Sequence, residues 1–271
     1  MILASASPVS VILTVAAALA YAVSAIGPAR MSPPVARGVV VLAWLLHAIL
    51  LVWGLFVQTP EHTPHFGFAP ALSVTAWLVA AVYAIESQVF PQLQTRWALS
   101  ALGGAAVLLA LIFPGHPLHV DTSPWLILHW ALGIASYGLF GAAVVHAWFM
   151  TRTEESIRRA TEPHIGLPLL TLERLTFRFV SAGFSLLSAT LFVAFVFGES
   201  LYGTPMVWKW DHKTIFSVLS WLTFAALLLG RARFGWRGRR AVRMLYAGAG
   251  LLLLAYVGSR FVMEIILGRV V

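Results

Sequence analysis

The stretch Ser123–Phe140, SPWLILHWALGIASYGLF, decides the fold class. It opens an apolar run that continues to about residue 150 without one Asp, Glu, Lys or Arg. About 20 apolar residues cross the hydrocarbon core of a bilayer as a helix, so 125–150 is expected to span a membrane. Outward from it the pattern repeats, with further spans expected at roughly 8–27, 38–58, 68–87, 97–113, 177–198, 214–230 and 244–267. Composition agrees. Of the 271 residues, 60% are hydrophobic and only 10% charged, and mean hydropathy is +0.86. A soluble domain carries about 25% charged residues. The expectation is an all-α integral membrane protein with eight transmembrane helices, forming a single polytopic domain over 1–271. No Lys or Arg precedes the first span, so it reads as retained rather than as a cleaved signal peptide.

The charges orient the chain. Arg30, Arg37, Arg96, Arg152, Arg158, Arg159, Arg174, Arg178, Arg231, Arg233, Arg237, Arg239, Arg240 and Arg243 make 14 of the 18 basic residues, all in alternate loops or at their edges. The other loops hold only Lys209 and Lys213. By the positive-inside rule the Arg-rich loops are cytoplasmic, which puts both termini on the outer side. The net charge of +8 is therefore read as topology and contact with the lipid bilayer, not nucleic acid. Within the inner 5–6 loop, Thr153, Glu154 and Glu155 are expected to start a short surface helix, and Leu167 to Leu172 to lie on the membrane. Small residues at Gly138, Gly141 and Ala247–Gly250 suit close helix contact.

There are no cysteines, which excludes disulfides, thiolate metal sites and covalent haem attachment through Cys-x-x-Cys-His. Nine histidines are a large share for such a chain. His47 falls mid-span, where an ionisable group is either functional or a neutral side chain bonded to a neighbouring helix. His129 lies about a turn inside the outer end of its span, as a ligand or as a half-hydrated interfacial residue. His62, His65, His116 and His119 sit in outer loops, either solvated or pairing on a divalent ion. His146 is 17 residues beyond His129, about 25 Å along a helix, so the two cannot share a metal. Arg260 and Glu264, four apart, share a face of the last span. They either neutralise each other or serve gating or anion binding. No nucleophile and base arrangement, phosphate loop or complete metal set is present, so catalysis is not expected.

The outer segment Val207–Thr214, VWKWDHKT, stands apart from the apolar runs around it. Trp208 and Trp210 are either interfacial anchors or, in extended backbone, two faces of an apolar platform. Asp211, His212, Lys209 and Lys213 surround them. Such an inventory suits haem, which needs stacking surface, cations for its propionates and imidazole for its iron.

That segment, within YGTPMVWKWDHKTIFSVLSWLTF, resembles the tryptophan-rich WWD loop of the cytochrome c assembly superfamily, which includes CcsA, CcmC and HemX-like proteins. Gly203, Trp208, Trp210, Asp211, Lys213 and Trp221 match the pattern W-G-x-x-W-x-W-D-x-K-E-T and its following helix. Tyr202 replaces the first Trp, one extra residue precedes Trp208, and Thr214 replaces the acidic residue. The resemblance, best over about 125–267, implies a bacterial inner-membrane protein of cytochrome c biogenesis that binds or delivers noncovalent haem b. It implies His129 as an outer iron ligand and His47 as the intramembrane histidine, with Arg260, Lys209 and Lys213 meeting propionates. His119 or His212 is left to complete the iron site, because Leu267 stands where a second histidine is expected. Losses of this kind point to the smaller HemX-like branch, with other cytochrome c maturation proteins as partners. The alternatives are a non-haem accessory subunit, helping haem synthesis or metal export, and an ion or solute transporter.

Overall fold

The computed structural model describes residues 7–26, 31–56, 65–89, 96–117, 124–159, 168–198 and 211–267. Eight helices follow in order: α1 (Pro8–Ile26), α2 (Pro33–Phe56), α3 (Phe68–Val89), α4 (Arg96–Ile112), α5 (Pro124–Arg158), α6 (Leu169–Val196), α7 (His212–Phe234) and α8 (Gly238–Leu253). The last continues through a π-helical turn at Leu254–Gly258, one α-turn at Ser259–Phe261 and a second π-helical turn at Val262–Ile266. Among the described residues seven helical segments are long and apolar enough to cross a membrane. The shorter apolar helix, Ala98–Ile112, belongs to α4. Helix is the form a chain takes in lipid because it satisfies its own backbone groups. Proline opens α1, α2 and α5, where its missing N–H costs nothing. Large apolar side chains such as Leu19, Ile26, Leu170 and Phe192 stand exposed, as expected where the surrounding solvent is hydrocarbon.

The helices pack as two groups, residues 1–120 and 121–269. In the first, α1 packs on α2 and α4, and α3 on α4 and α2. Close approach of α1 to α4 depends on Gly103, where a Cβ would stand 2.6 Å from Tyr21 Cζ. Helices α2 and α3 are clasped by Trp44 and Trp77. Their indoles stack at 4.7 Å, and each Nε1–H donates to the other's backbone carbonyl, at 3.3 and 3.1 Å. A short antiparallel ribbon that the sequence pattern did not announce pairs β1 (His65–Phe66) with β2 (His116–Pro117).

In the second group α5 lies along α6, α7 along α8, and α8 touches α5. Its centre is the Phe140–Phe224 stack, 3.8 Å between centroids, with Gly248 so close to Phe224 that a Cβ would sit 2.8 Å away. Of the small residues expected at contacts, Gly138 and Gly248 are buried, whereas Gly250 faces open space.

The 5–6 connection departs from expectation. Thr153, Glu154 and Glu155 start no new helix; they continue α5, which runs 35 residues to Arg158. No Gly or Pro follows Gly141 in α5, Thr153 is buried, and Glu154 faces Arg158 one turn on at 4.0 Å. Of the Leu167 to Leu172 run, Leu167 lies outside the described residues, and Leu169 to Leu172 are helical. They form the first turn of α6, with Leu172 fully buried. One residue later Glu173 accepts from Arg231 at 2.8 Å and lies 3.4 Å from Arg237 Nε. A carboxylate that contacts two guanidiniums anchors this end of α6 to the α7–α8 turn. The turn itself is set by Gly235, whose φ of 63° is the left-handed cap favoured by glycine.

Candidate functional site

Two clusters of polar side chains stand out, one in each group. In the first, His47 on α2 is fully buried. Its Nδ1 meets Tyr21 Oη of α1 at 3.0 Å and its Nε2 meets Ser73 Oγ of α3 at 2.8 Å. Both ring nitrogens are thus engaged, and the imidazole ties three helices together. Nearby, Ser24 Oγ donates to Ser100 Oγ of α4 at 2.7 Å. Sequence reasoning singled out His47 but not Tyr21 or Ser73. The available signal was the need of a buried imidazole for partners, which only polar residues at similar depth in neighbouring spans can supply.

In the second group, His129 sits five residues into α5, about 7.5 Å along the helix from its first residue. Its Nδ1 lies 3.2 Å from the Thr190 carbonyl of α6. A carbonyl only accepts, so Nδ1 carries the proton and donates, and the neutral ring keeps its lone pair on Nε2. Fixing one ring nitrogen in this way is how proteins prepare the other as a metal ligand. The Thr190 contact has no signature in the residue types, since it is made by a backbone atom.

Asp211 caps α7: its side chain accepts from Thr214 N at 2.8 Å, so this acidic residue of the VWKWDHKT segment orders the helix start. His212 Nε2 hydrogen-bonds Ser259 Oγ, joining the start of α7 to the end of the last span. Lys213 follows in the same turn. Arg260 is 8% exposed, pairs with Glu264 at 3.6 Å and lies over the Tyr256 ring at 5.8 Å. The π-helical turns on either side of it are a form often found at functional sites. Tyr137 of α5 donates to the Leu252 carbonyl just before the first of them. Leu267 closes the second and is exposed. Trp221 Nε1 donates to Ser188 Oγ at 2.8 Å, holding α7 to α6.

Trp208, Lys209, Trp210, His62, His119 and His164 lie outside the described residues. The ribbon brings the backbones of His65 and His116 onto adjacent strands. His146 is buried against Phe149 and Phe179, its Nδ1 donating to the Ala142 carbonyl at 2.8 Å. Among the described residues no group of three His, Asp or Glu side chains could hold a metal ion. In the second group, then, the described geometry is one imidazole with its Nδ1 fixed by a backbone carbonyl, and, separately, the Arg260–Glu264 pair near the end of the last span.

Fold and site define a helical membrane protein with an imidazole readied near one end of a four-helix group. The chain belongs to the cytochrome c assembly protein family, whose model matches residues 38–267. That match starts well before the part in which the resemblance was legible. The chain is similar to inner membrane protein YpjD of Escherichia coli K12, 30% identical over 162 residues, 58% of this chain and 60% of YpjD. It is 32% identical over 216 residues to an uncharacterized 28.8 kDa protein of Azospirillum brasilense, covering 75% of this chain and 78% of that one. It is 25% identical over 230 residues to cytochrome c biogenesis protein CcsA of Prochlorococcus marinus, covering 78% and 68%. No solved structure matches it. It is a multi-pass protein of the bacterial inner membrane.

Proposed function

We propose that this chain serves cytochrome c biogenesis by binding noncovalent haem b at its outer face, close to the start of α7, and that it does so without catalysing a reaction. The observation that carries the reading is His129, whose Nδ1–H is held by the Thr190 carbonyl so that Nε2 is left to bind iron. Haem, when bound, supplies an iron that takes an axial nitrogen and two propionates that attract cations. His129 is the axial donor. Lys213 and Arg260 are the described cations for propionates, and Lys209, Trp208 and Trp210 supply a further cation and the stacking surface. His212 is the weaker iron ligand, since its Nε2 already bonds Ser259. His119 is the remaining histidine for a sixth position. A site with one strong protein ligand suits passing haem on, and other cytochrome c maturation proteins are the recipients or donors. Membership of the family supports this assignment, as does similarity to a protein named for cytochrome c biogenesis.

In this reading all eight helices cross the membrane, α4 included. Its 17 residues span about 25 Å, close to the hydrocarbon thickness of about 30 Å. Both termini then lie outside. The test is the absorption spectrum of protein purified in mild detergent from haem-replete cells. A Soret band with reduced α and β bands is expected, and His129→Ala is expected to remove most of it. A colourless wild-type protein that stays colourless with added haem refutes the reading.

A further inference from the structure

The first helix group holds a cleft of about 70 Å³ that the haem reading does not use. It is lined by Ser10 and Thr14 of α1, Leu50 of α2, His65 of β1, Ser73 of α3 and Ala110 of α4, among others. All come from the end of the group that carries the β1–β2 ribbon, where α1 and α3 begin and α2 and α4 end. Ser10, Thr14 and Ser73 are buried, each no more than 4% exposed. Thr14 Oγ1 donates to the Ser10 carbonyl and Ser10 Oγ to the Ser7 carbonyl, both at 2.8 Å, so their oxygen lone pairs remain as acceptors. Ser73, on the cleft wall, is also the residue bonded to His47 Nε2. His47 itself lies nine residues from the end of α2, about 13 Å in, near the middle of a hydrocarbon layer about 30 Å thick.

Volume and lining decide the occupant. An apolar cavity of about 150 Å³ holds benzene, whereas one water needs about 10–15 Å³ and two to four polar partners. The cleft is too small for a porphyrin and large enough for a short file of waters, with hydroxyls and an imidazole to hold them. No Asp, Glu, Lys or Arg lines it. We propose that the cleft is a hydrated proton-access path, through which His47 takes protons from the aqueous phase on the ribbon side and returns them. A hydronium in the cleft gives its proton to Ser73 Oγ as the Ser73 proton passes to His47 Nε2. The water is left neutral and the imidazolium donates from Nδ1 to Tyr21 Oη; the reverse steps discharge it. Tyr21 is the titratable group that faces His47 from α1. Helix α3 faces it with Ser73, and the cleft residues of α4, Ala110 and Leu111, carry no charge. With both nitrogens so engaged, His47 is a proton carrier and not an iron ligand.

Exchange of the histidine C2 hydrogen for deuterium, read by mass spectrometry on the full chain in lipid nanodiscs, tests this, because that exchange requires both protonation and water. His47 is expected to exchange in the wild type and several-fold more slowly in Ala110→Leu, which fills the cleft. Because the chain has no cysteine, Ser73→Cys gives a second measure. It is expected to react with a small membrane-impermeant methanethiosulfonate added from the ribbon side, whereas the exposed helix position Leu19→Cys does not. No exchange at His47, exchange unchanged by Ala110→Leu, or a Ser73→Cys as inert as Leu19→Cys overturns the proposal. So does loss of a haem band on His47→Ala. The His129→Ala spectrum bears on the haem reading alone, so either idea can fail without the other.

Discussion

At the scale of single residues, two histidines carry opposite assignments because their ring nitrogens are used differently. His47 spends both on side chains of neighbouring helices, and His129 spends one on a backbone carbonyl. His47→Ala should therefore leave the buried Tyr21 and Ser73 hydroxyls without their imidazole partner. Each stranded group costs about 1–3 kcal/mol, and the loss should appear as a clearly lowered unfolding midpoint in mixed micelles. His129→Ala strands only a carbonyl that α6 can still bond internally, and is expected to leave the midpoint nearly unchanged while removing haem. Measuring both properties on both variants separates support from ligation. Asp211→Ala should cost about 1 kcal/mol through loss of the α7 cap. The sequence made His47 and His129 visible because ionisable groups at membrane depth are rare. It hid their partners, because Ser73 and Tyr21 look like ordinary span residues and the Thr190 carbonyl has no side-chain signature. Trp208 and Trp210, proposed as the stacking surface and outside the described residues, were legible only as a pattern of residue types.

At the scale of elements, packing turns on where a side chain is missing. Gly103→Ala is expected to push Tyr21 away from α4, since the new Cβ would fall 2.6 Å from its ring. Gly38→Ala on α2 meets nothing within 4 Å and should be tolerated. A thermal shift confined to the first variant would establish Gly103 as the α1–α4 contact; equal shifts would refute it. Among the described residues hydropathy located the seven helices long enough to span and the shorter apolar α4, because a run of about 20 apolar residues has few other uses. It misplaced the polar ends of α5 and α6. Past residue 150 the helix is held by buried Thr153 and by an ion pair, features that hydropathy does not register. The π-helical turns around Arg260 were also illegible, since neither carries a distinguishing residue.

At the scale of the whole molecule, the Arg-rich ends and the ribbon end define the proposed orientation. Alkaline phosphatase fused after Val271 is expected to be active and one inserted after Gly235 inactive; the reverse would invert the topology, and activity at both would break the eight-span count. Helix α5 adds a mechanical consequence. At 35 residues it is about 52 Å long, against a hydrocarbon layer of about 30 Å, and its surplus carries Arg152, Glu154, Glu155 and Arg158. That surplus is a stiff mast rising from the lipid headgroups. Whatever is tethered beyond Arg158 inherits a stand-off from the bilayer, so a protein that reaches this chain there meets a pole before it meets a membrane.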